Sequence, residues 1–340
     1  MTQSMQTSER RWSDRQLTIF DAIKEPKQNI LIQAVAGSGK TTTIVKGMEY
    51  AGDRPCFLAF NKSIQLELAS RVTVGEVKTL NALGHRMVVT NLRGAELDAK
   101  KNQRILAELM GEESEEFKAY AYTLSRLIGL AKSQALSPTD EVMLALDMQD
   151  IADNFQMDIP ADILQTLTTW AAKAMIRGFE DLTTFDFDDQ LYWPILRRWI
   201  FPRFTDVFVD ECQDLNTIQH LMLQRLADQG ARIVAVGDRH QAIYGFRGAL
   251  SDSMDQLRIK FNMQEFPLDV TYRCGTAIVE LAQEYCPHIL PRPDAPSGTV
   301  IHAASDPRLF PPGMLVICRN NAPLLSCALT LLRAGRGVQL

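Results

Sequence analysis

Residues 34–41 read AVAGSGKT. This is the pattern of a phosphate-binding loop, with alanine in the position of its first glycine. The loop follows the apolar run Ile30–Ile32, which is typical of a buried strand, and it leads into residues 41–48, whose pattern indicates the start of a helix. In that context the backbone N–H groups of the loop and the positive end of the helix dipole surround phosphates. The stretch therefore predicts an α/β fold that binds a nucleoside triphosphate, rather than a chance glycine-rich turn.

The residues of this loop have separate expected tasks. We expect the ammonium group of Lys40 to reach the β- and γ-phosphates, and the hydroxyl of Thr41 to hold Mg²⁺. The predicted cofactors are therefore ATP and Mg²⁺. The candidate ATP-binding residues of this segment are Ala36, Gly37, Ser38, Gly39, Lys40, Thr41 and Thr42.

The composition is that of an ordinary globular protein. The chain has 340 residues, of which 46% are hydrophobic and 23% charged, enough for two or three domains. A net charge of −5 counts slightly against a nucleic-acid binder, although a binding channel needs only a local basic lining.

The six cysteines are scattered without a CxxC pair, which favours free thiols in a reducing cytosol over disulfides or zinc. No apolar run approaches the roughly 18 residues of a membrane span, and the polar residues 1–13 do not resemble a secretion signal. We therefore expect a cytoplasmic protein with no membrane partner.

Short apolar runs rich in Val, Ile and Phe alternate with helical stretches along much of the chain. This alternation is typical of a parallel sheet with helices on both faces. The runs lie at residues 29–35, 55–60, 72–77, 205–210 and 231–236, and two later strand-like runs lie at 298–303 and 313–318. The expected fold class is α/β.

Residues from about 91 to 185 differ, because they carry helical periodicity and almost no strand signal. One helix is predicted over Ala161–Arg177, and another after Asp140. The acidic run at residues 186–189 is interpreted as a helix N-terminus rather than a metal site, since acids there complement the helix dipole. The leucine-rich stretch 322–332 predicts a helix that packs on its sheet.

A second functional element reads VFVDECQD, from Val207 to Asp214. Here an apolar strand ends in adjacent carboxylates, and a strand sends successive side chains to opposite sides. We expect Asp210 to hold Mg²⁺, directly or through water, and Glu211 to act as the general base toward an attacking water. The alternative, an acidic turn after a buried strand, becomes less attractive beside the phosphate-binding loop.

Two further sequence runs resemble motifs of a known protein family. Residues 236–249 read VGDRHQAIYGFRGA, and residues 271–274 read TYRC. With the DExxQD carboxylate run, they occur in the order seen in UvrD/Rep-type superfamily 1 DNA helicases, and the chain resembles that family over about residues 14–340. The resemblance implies a RecA-like sheet of the phosphate-loop NTPase type.

The resemblance also implies roles for individual residues. Gln16 matches the glutamine that reads the adenine edge, and Gln241 resembles the residue that couples the γ-phosphate to DNA contacts. Tyr272 resembles a tyrosine that stacks on adenine. Arg273 resembles an arginine that contacts the γ-phosphate, so with Lys40 and the carboxylates it belongs to the predicted catalytic set.

Contacts to single-stranded DNA have candidates of their own. Phe60 ends a predicted strand, at the sheet edge where ligands lie in such folds, and could stack on a base, although a core aromatic is the rival interpretation. Thr79 could hold a phosphate. Phe246 stands where many family members have Trp, and base–aromatic stacking tolerates any sequence. The candidate DNA-binding residues are Phe60, Asn61, Thr79, Asn81, Tyr244, Phe246 and Arg247.

The resemblance also predicts a division into domains. We expect a flexible tail at 1–13, a first RecA-like ATPase domain at 14–90 and 186–264, a helical insert at 91–185, and the start of a second RecA-like domain at 265–340. Two later motifs of the family are missing between Cys274 and Leu340. The second domain is therefore expected to be incomplete, and a protein partner could supply its missing motifs.

Three functions are compatible with these patterns. The first is a motor that hydrolyses ATP to move along single-stranded DNA, 3′ to 5′ if the family polarity holds, and separates duplex junctions. The second is a module, or a subunit of a split helicase, that holds ATP and DNA without productive turnover on its own. The third, an unrelated phosphate-loop enzyme such as a kinase, is disfavoured by the run from Gln241 to Arg247.

Overall fold

The computed structural model describes residues 11–25, 28–303 and 306–339. Most of the predicted tail, residues 1–13, lies outside this description. The strands of the described residues are β1 Ile30–Ala34, β2 Pro55–Ala59, β3 Glu76–Thr79, β4 Glu96–Leu97, β5 Thr184–Phe185, β6 Asp206–Val209, β7 Arg232–Gly237, β8 Gln264–Leu268, β9 Val270–Thr271 and β10 Leu290–Pro291.

Helices flank these strands along the chain. Those of the described residues are α1 Asp14–Lys24, α2 Lys40–Met48, α3 Lys62–Ala69, α4 Leu80–Asn91, α5 Lys101–Met110, α6 Glu115–Ser133, α7 Glu141–Asn154, α8 Leu164–Glu180, α9 Asp189–Leu196, α10 Thr217–Asp228, α11 Ser253–Lys260, α12 Thr276–Ala282 and α13 Asn321–Arg333.

Six strands form one sheet in the order β3-β2-β6-β7-β1-β8, and every pair of neighbours is parallel. The predicted α/β class is therefore confirmed. Because all six strands run the same way, the loops after β1, β2, β6 and β7 leave from one edge of the sheet. That edge receives the phosphate-binding loop and the carboxylate run.

The sheet buries apolar side chains on both faces, as expected when helices cover a parallel sheet. Leu31, Val207 and Ile233 belong to a core shared with the helices of the insert, whereas Ile32 and Phe208 belong to a second core on the opposite face. Neighbouring residues of one strand thus enter different cores, because side chains alternate along a strand.

The predicted strand at 72–77 forms later in the chain, as β3 at Glu76–Thr79. Gly75 has φ +87° and a side chain at this position would collide with the Pro55 carbonyl, at 2.2 Å from the Cβ position. This turn delays the start of the strand, because only residues after it can align with β2.

Two helix predictions can be compared directly with the structure. The helix expected after Asp140 is confirmed as α7, and the Asp140 carboxylate accepts hydrogen bonds from the N–H groups of Val142 and Met143. The helix expected over 161–177 is α8, displaced to Leu164–Glu180. The helix continues through Gly178 and does not end before it. The Gly178 carbonyl, near the C-terminus of the helix, accepts a hydrogen bond of 2.7 Å from Lys101 Nζ.

The region after β8 departs most from the sequence predictions. The predicted domain boundary between residues 264 and 265 falls inside β8, which pairs with β1 in the main sheet. The strands predicted at 298–303 and 313–318 are wrong, because those residues form no strand and gain no strand neighbour in the described part of the chain. Their apolar side chains stay in solvent, with Ile301 78% and Ile317 82% exposed.

The leucine-rich stretch does form a helix, α13, but it does not pack on a sheet as predicted. Ala328 is its buried residue, and its closest element is a short 3₁₀ turn at Pro307–Leu309. Leu325 and Leu332 are each 54% exposed. The sequence of α13 therefore has the apolar face of a packed helix, but in the described residues most of that face is not buried by another element.

Candidate nucleotide and nucleic-acid site

The phosphate-binding loop adopts the expected strand–loop–helix arrangement, between the end of β1 at Ala34 and the start of α2 at Lys40. Gly37 and Gly39 have φ values of +73° and +85°. The left-handed backbone region is open to glycine without strain, so both positions suit this residue. The loop thereby presents backbone N–H groups at the N-terminus of a helix, where anions bind.

The tyrosine–arginine run lies against this loop. The N–H of Tyr272 donates a hydrogen bond of 2.9 Å to the Gly37 carbonyl. A side chain at Gly37 would collide with Arg273 and Thr271, at 2.6 Å and 2.7 Å from the Cβ position. Tyr272 is 45% exposed beside the loop. The fold thus brings together two motifs that are more than two hundred residues apart.

The paired carboxylates face the first two residues of α2. Lys40 Nζ donates to Glu211 Oε2 at 2.7 Å, and Thr41 Oγ1 donates to Asp210 Oδ2 at 3.1 Å. Asp210 is buried, and this burial together with the neighbouring Glu211 raises the pKa of its carboxyl to about 6. The surroundings therefore disfavour the charged form of the Asp210 carboxyl.

These oxygen atoms fit a magnesium ion. Mg²⁺ prefers carboxylate and hydroxyl oxygens together with substrate phosphates. Asp210 and Thr41 supply one of each within hydrogen-bonding distance of one another. A cation between them would also favour the charged form of the buried Asp210 carboxyl.

The carboxylate turn has an unusual backbone. Glu211 has φ +52°, in the left-handed region that non-glycine residues rarely adopt, and it opens a 3₁₀ turn over Cys212–Asp214. Its N–H donates to Asp210 Oδ1 at 2.9 Å. Such strain persists only where the surroundings hold it, and it is frequent at functional sites.

Gln16 lies behind the loop rather than facing open solvent. Its Nε2 donates to Thr43 Oγ1 at 2.9 Å, and its Oε1 accepts from the Ser13 N–H at 3.1 Å in a capping box at the start of α1. It is 6% exposed. The structure places Gln16 next to the loop, and its contact with adenine stays a prediction.

A chain of hydrogen bonds runs from Lys40 to Gln241, through two residues that received no separate role from the sequence, Gln213 and Asp238. Gln213 Nε2 donates to Glu211 Oε2 at 2.8 Å, and its Oε1 accepts from the Asp238 N–H at 3.0 Å. Gln241 Nε2 then donates to Asp238 Oδ2 at 2.5 Å. Both missed residues follow parallel strands at the same sheet edge, a signal that could have identified them.

Three aromatic side chains, two of them just after Gln241 in sequence, contact one another. The ring centroids of Phe60 and Tyr244 are 5.2 Å apart, and those of Tyr244 and Phe246 are 5.9 Å apart. Phe246 is 58% exposed. The three rings, which we call the aromatic row, form a partly exposed surface, and two of them, Tyr244 and Phe246, follow Gln241 closely in sequence.

Asp214 connects the aromatic row to the carboxylate turn. Burial and the nearby Glu211 raise the pKa of the Asp214 carboxyl, and the backbone N–H groups of Ile243 and Tyr244 oppose that shift. The carboxylate turn and the segment that carries the aromatic row are therefore in electrostatic contact.

Comparison with known proteins decides the family. Residues 63–262, more than half of the chain, match the UvrD/REP helicase N-terminal domain. This chain belongs to the UvrD/Rep helicase family. The predicted resemblance is confirmed.

Similar family members have names that describe helicases. The chain is 26% identical to the ATP-dependent DNA helicase Rep of Buchnera aphidicola over 285 residues, covering 74% of this chain and 42% of that protein. It is 25% identical to DNA helicase II of Escherichia coli K12 over 287 residues, covering 77% of this chain and 39% of that protein. A probable DNA helicase II homolog of Mycoplasma pneumoniae is 34% identical over 121 residues, 34% of this chain and 17% of that protein. The chain thus spans less than half the length of these relatives.

Three of the other predicted DNA-binding residues of this UvrD/Rep family member, Thr79, Asn61 and Asn81, hydrogen-bond within the protein. Thr79 and Asn61 accept from the N–H groups of Ala82 and Ile64, as the caps of α4 and α3. Asn81 donates to the Phe187 carbonyl at 2.9 Å and ties α4 to the segment before α9. The side chain of Arg247 lies outside the described residues. The DNA contacts of all four residues stay predictions.

A second set of lysines and carboxylates lies within the family member's helical region. Lys132 Nζ lies 2.6 Å from Asp186 Oδ2 and 2.8 Å from Asp189 Oδ1, and Lys101 Nζ lies 3.2 Å from Asp189 Oδ2. We call these four residues the buried lysine–aspartate cluster. The predicted helix N-terminus is confirmed, since α9 begins at Asp189 and the Asp189 N–H donates to Asp186 Oδ1.

The described residues contain no helix long and apolar enough to cross a membrane.

Proposed function

We propose that this chain is the part of a DNA helicase motor that binds and hydrolyses ATP and holds single-stranded DNA. The hydrogen-bonded path from Lys40 through Glu211, Gln213 and Asp238 to Gln241 carries this proposal. It joins a predicted triphosphate site to an aromatic surface suited to nucleobases. The ATP-dependent helicase names of the relatives support the same assignment.

The contacts of Lys40 suggest how the site responds to a nucleotide. In the structure Lys40 is paired with Glu211, whose Oε2 also accepts a hydrogen bond from Gln213. A triphosphate in the loop offers Lys40 stronger partners, and Glu211 is then released toward an attacking water. Glu211 can accept the proton of that water as general base. Thr41 and Asp210 would hold Mg²⁺, which neutralises charge on the phosphates when bound.

Release of Glu211 also changes the path to DNA. When Lys40 leaves Glu211 for a phosphate, the bond from Gln213 Nε2 to Glu211 can break. Gln213 Oε1 still accepts the bond from the Asp238 N–H. Asp238 in turn positions Gln241, three residues before Tyr244. Stacking on aromatic side chains contributes about 1–3 kcal/mol per base, so small movements of the aromatic row would alter DNA affinity.

Arg273 completes the proposed catalytic set. Its segment contacts the phosphate-binding loop, and Tyr272 beside it would stack on adenine. An arginine placed on the transferred phosphoryl group contributes about 10³–10⁵ in rate in other nucleotide hydrolases. Movement of this segment relative to the loop would couple nucleotide state to domain position.

We further propose the predicted division into a first RecA-like domain, a helical insert and the start of a second RecA-like domain. The boundary between the two RecA-like domains is moved from 264/265 to a point beyond β8. The polarity is proposed to be 3′ to 5′, with duplex junctions as substrates.

A second candidate function is an ATP- and DNA-binding module that needs another protein segment for turnover. The exposure of Ile301, Leu315 and Ile317 favours this candidate, because these apolar side chains have no cover in the described residues.

A steady-state ATPase assay with and without oligothymidylate tests the proposal. We expect hydrolysis that DNA stimulates, and its loss in Lys40→Ala. Lys46→Ala is the matched control and should keep activity, because Lys46 lies on α2 and pairs with the exposed Glu49 just after that helix. Binding of ATP and DNA without hydrolysis would select the module. Failure to bind either ligand would reject both functions.

A further inference from the structure

A buried hydrogen-bond chain lies behind the carboxylate turn. Ser253, the first residue of α11, donates from Oγ to the Cys212 carbonyl at 2.7 Å. His220 Nε2, on α10, lies 2.8 Å from the same Ser253 Oγ. Cys212, Ser253 and His220 are 0%, 1% and 3% exposed, so water does not compete for these bonds.

The direction of each bond follows from the atoms available. A serine hydroxyl has one hydrogen, and Ser253 uses it on the Cys212 carbonyl. The His220 contact must therefore run the other way, from Nε2–H to Ser253 Oγ. Burial, with Lys260 nearby and Asp252 opposing, lowers the pKa of His220 to about 4. A neutral imidazole with its proton on Nε2 thus fixes the orientation of the serine hydroxyl.

The carbonyl that receives this chain belongs to the residue after Glu211. Glu211 has the left-handed backbone and heads a turn of only three residues, closed by a bond of 3.0 Å from the Asp214 N–H to the Glu211 carbonyl. In the proposed function the Glu211 side chain leaves its partners Lys40 and Gln213 and turns toward an attacking water. The bond from Ser253 holds the turn from the opposite side, where no exchange occurs.

We propose that Ser253 and His220 are positioning residues for ATP hydrolysis, which keep the carboxylate turn fixed while the Glu211 side chain changes partners. This inference rests on the proposed function. Displacement of a catalytic group by about 1 Å can cost about 100-fold in rate, so a single buried bond to the turn can matter to turnover. A purely structural role would instead lower stability and leave turnover per folded molecule unchanged.

The test compares variants of the whole chain in steady-state ATPase assays, with urea unfolding measured on the same samples. Ser253→Ala should lower kcat about 10- to 100-fold with little change in KM for ATP, because the phosphate-binding loop is untouched. Ser253→Thr keeps the hydroxyl and should restore most of kcat. His220→Met should lower kcat less than Ser253→Ala, since the serine keeps its bond to Cys212 but loses its orientation.

Tyr192→Phe is the matched control. Tyr192 Oη also donates a hydrogen bond to a backbone carbonyl, that of Leu136, which follows α6 and is not part of the carboxylate turn. This variant should lose stability and keep kcat. The affinities for ADP with and without aluminium fluoride give a second readout: Ser253→Ala should weaken only the complex with aluminium fluoride.

The outcomes separate the inference from the proposed function. If Ser253→Ala hydrolyses ATP at the unchanged rate, or if Tyr192→Phe loses kcat equally, the positioning role is overturned while the proposed function stands. If Ser253→Ala does not fold, an unchanged kcat in folded His220→Met overturns the role. Absence of hydrolysis by the unchanged chain overturns both.

Discussion

Two groups of lysines and carboxylates in this helicase family member have similar chemistry and different surroundings. In the phosphate-loop site, Lys40 and Glu211 form an ion pair in which their side chains are 11% and 28% exposed. In the buried lysine–aspartate cluster, Lys132 and Asp189 are 1% and 0% exposed. In the proposed function the first pair exchanges its partners with a ligand, whereas the second pair is buried away from any ligand.

The difference in bonding explains this contrast. Lys101 donates to the carbonyls of Gly178 and Thr184 as well as to Asp189, so its donors are used within the protein. Lys40 donates to Glu211 and lies at the end of the loop that is proposed to bind phosphate. Adjacent acids therefore indicate catalysis only where a neighbouring cation is accessible and has bonding capacity left.

The largest expected effect distinguishes the two groups by rate. Glu211→Gln keeps the size of the side chain but removes its ability to accept a proton, so hydrolysis should fall by about 10²–10⁴-fold. ATP binding should remain, because Lys40 gains freedom to bind phosphate. Steady-state ATPase and equilibrium nucleotide binding measure the two effects. Normal hydrolysis in Glu211→Gln would show that another group is the base. Glu49→Gln, at the exposed residue that follows α2, is the control.

The next effect concerns stability. Lys132→Met leaves Asp186 and Asp189 buried with fewer partners, and breaking a buried ion pair costs about 3–5 kcal/mol. Lys40→Met should cost much less free energy of unfolding, because its partner Glu211 can reach water. Urea unfolding of both variants tests this contrast. Equal losses of stability would remove the distinction between the two groups.

The rings beside the two groups should also differ. Lys101 Nζ lies 4.5 Å from the ring centroid of the buried Trp193, whereas Phe246, in the aromatic row, is exposed. Phe246→Ala should weaken single-stranded DNA binding by about 1–3 kcal/mol and spare ATP affinity. Fluorescence anisotropy with labelled oligothymidylate measures the change. Tyr285→Ala, at a ring that is 76% exposed elsewhere, is the control, and equal effects would assign Phe246 no special contact.

The most gradual expected effect is a pH dependence of stability. His220 has a pKa of about 4 in the folded chain, below its ordinary value of 6.5. The unfolded chain then binds more protons between these values, so the stabilising contribution is complete above pH 6.5 and is lost as the pH falls toward 4. The loss is at most about 1.4 kcal/mol per pH unit. Urea unfolding of the unchanged chain and His220→Gln should diverge over this range, and parallel curves would contradict the buried neutral imidazole.

The sequence predicted the parts of the fold and site that depend on neighbouring residues. The loop at 34–41 needs only the strand before it and the helix after it, and the carboxylates at Asp210 and Glu211 need only the end of β6. Parallel pairing then brings these loops to one edge. The fold class and the family were therefore accessible from the sequence, and the strands that failed at 298–318 lacked a pairing partner that local pattern cannot supply.

Other features depended on which side chains meet across the sheet. Gln213 meets Asp238 because β6 and β7 are neighbours, and Ser253 reaches Cys212 because α11 packs against the carboxylate turn. Strand order and helix packing determine both contacts. Polar residues without a recognisable spacing, such as His220, could not be assigned before the packing was known.

We propose that the triphosphate site and the DNA surface are coupled through Gln213, Asp238 and Gln241. The most direct test is the affinity for labelled oligothymidylate with and without a non-hydrolysable ATP analogue, in the unchanged chain and in Gln241→Ala. We predict that the analogue changes DNA affinity in the unchanged chain, and that Gln241→Ala still binds both ligands but loses this dependence. An equal dependence on the analogue in both proteins would contradict the account.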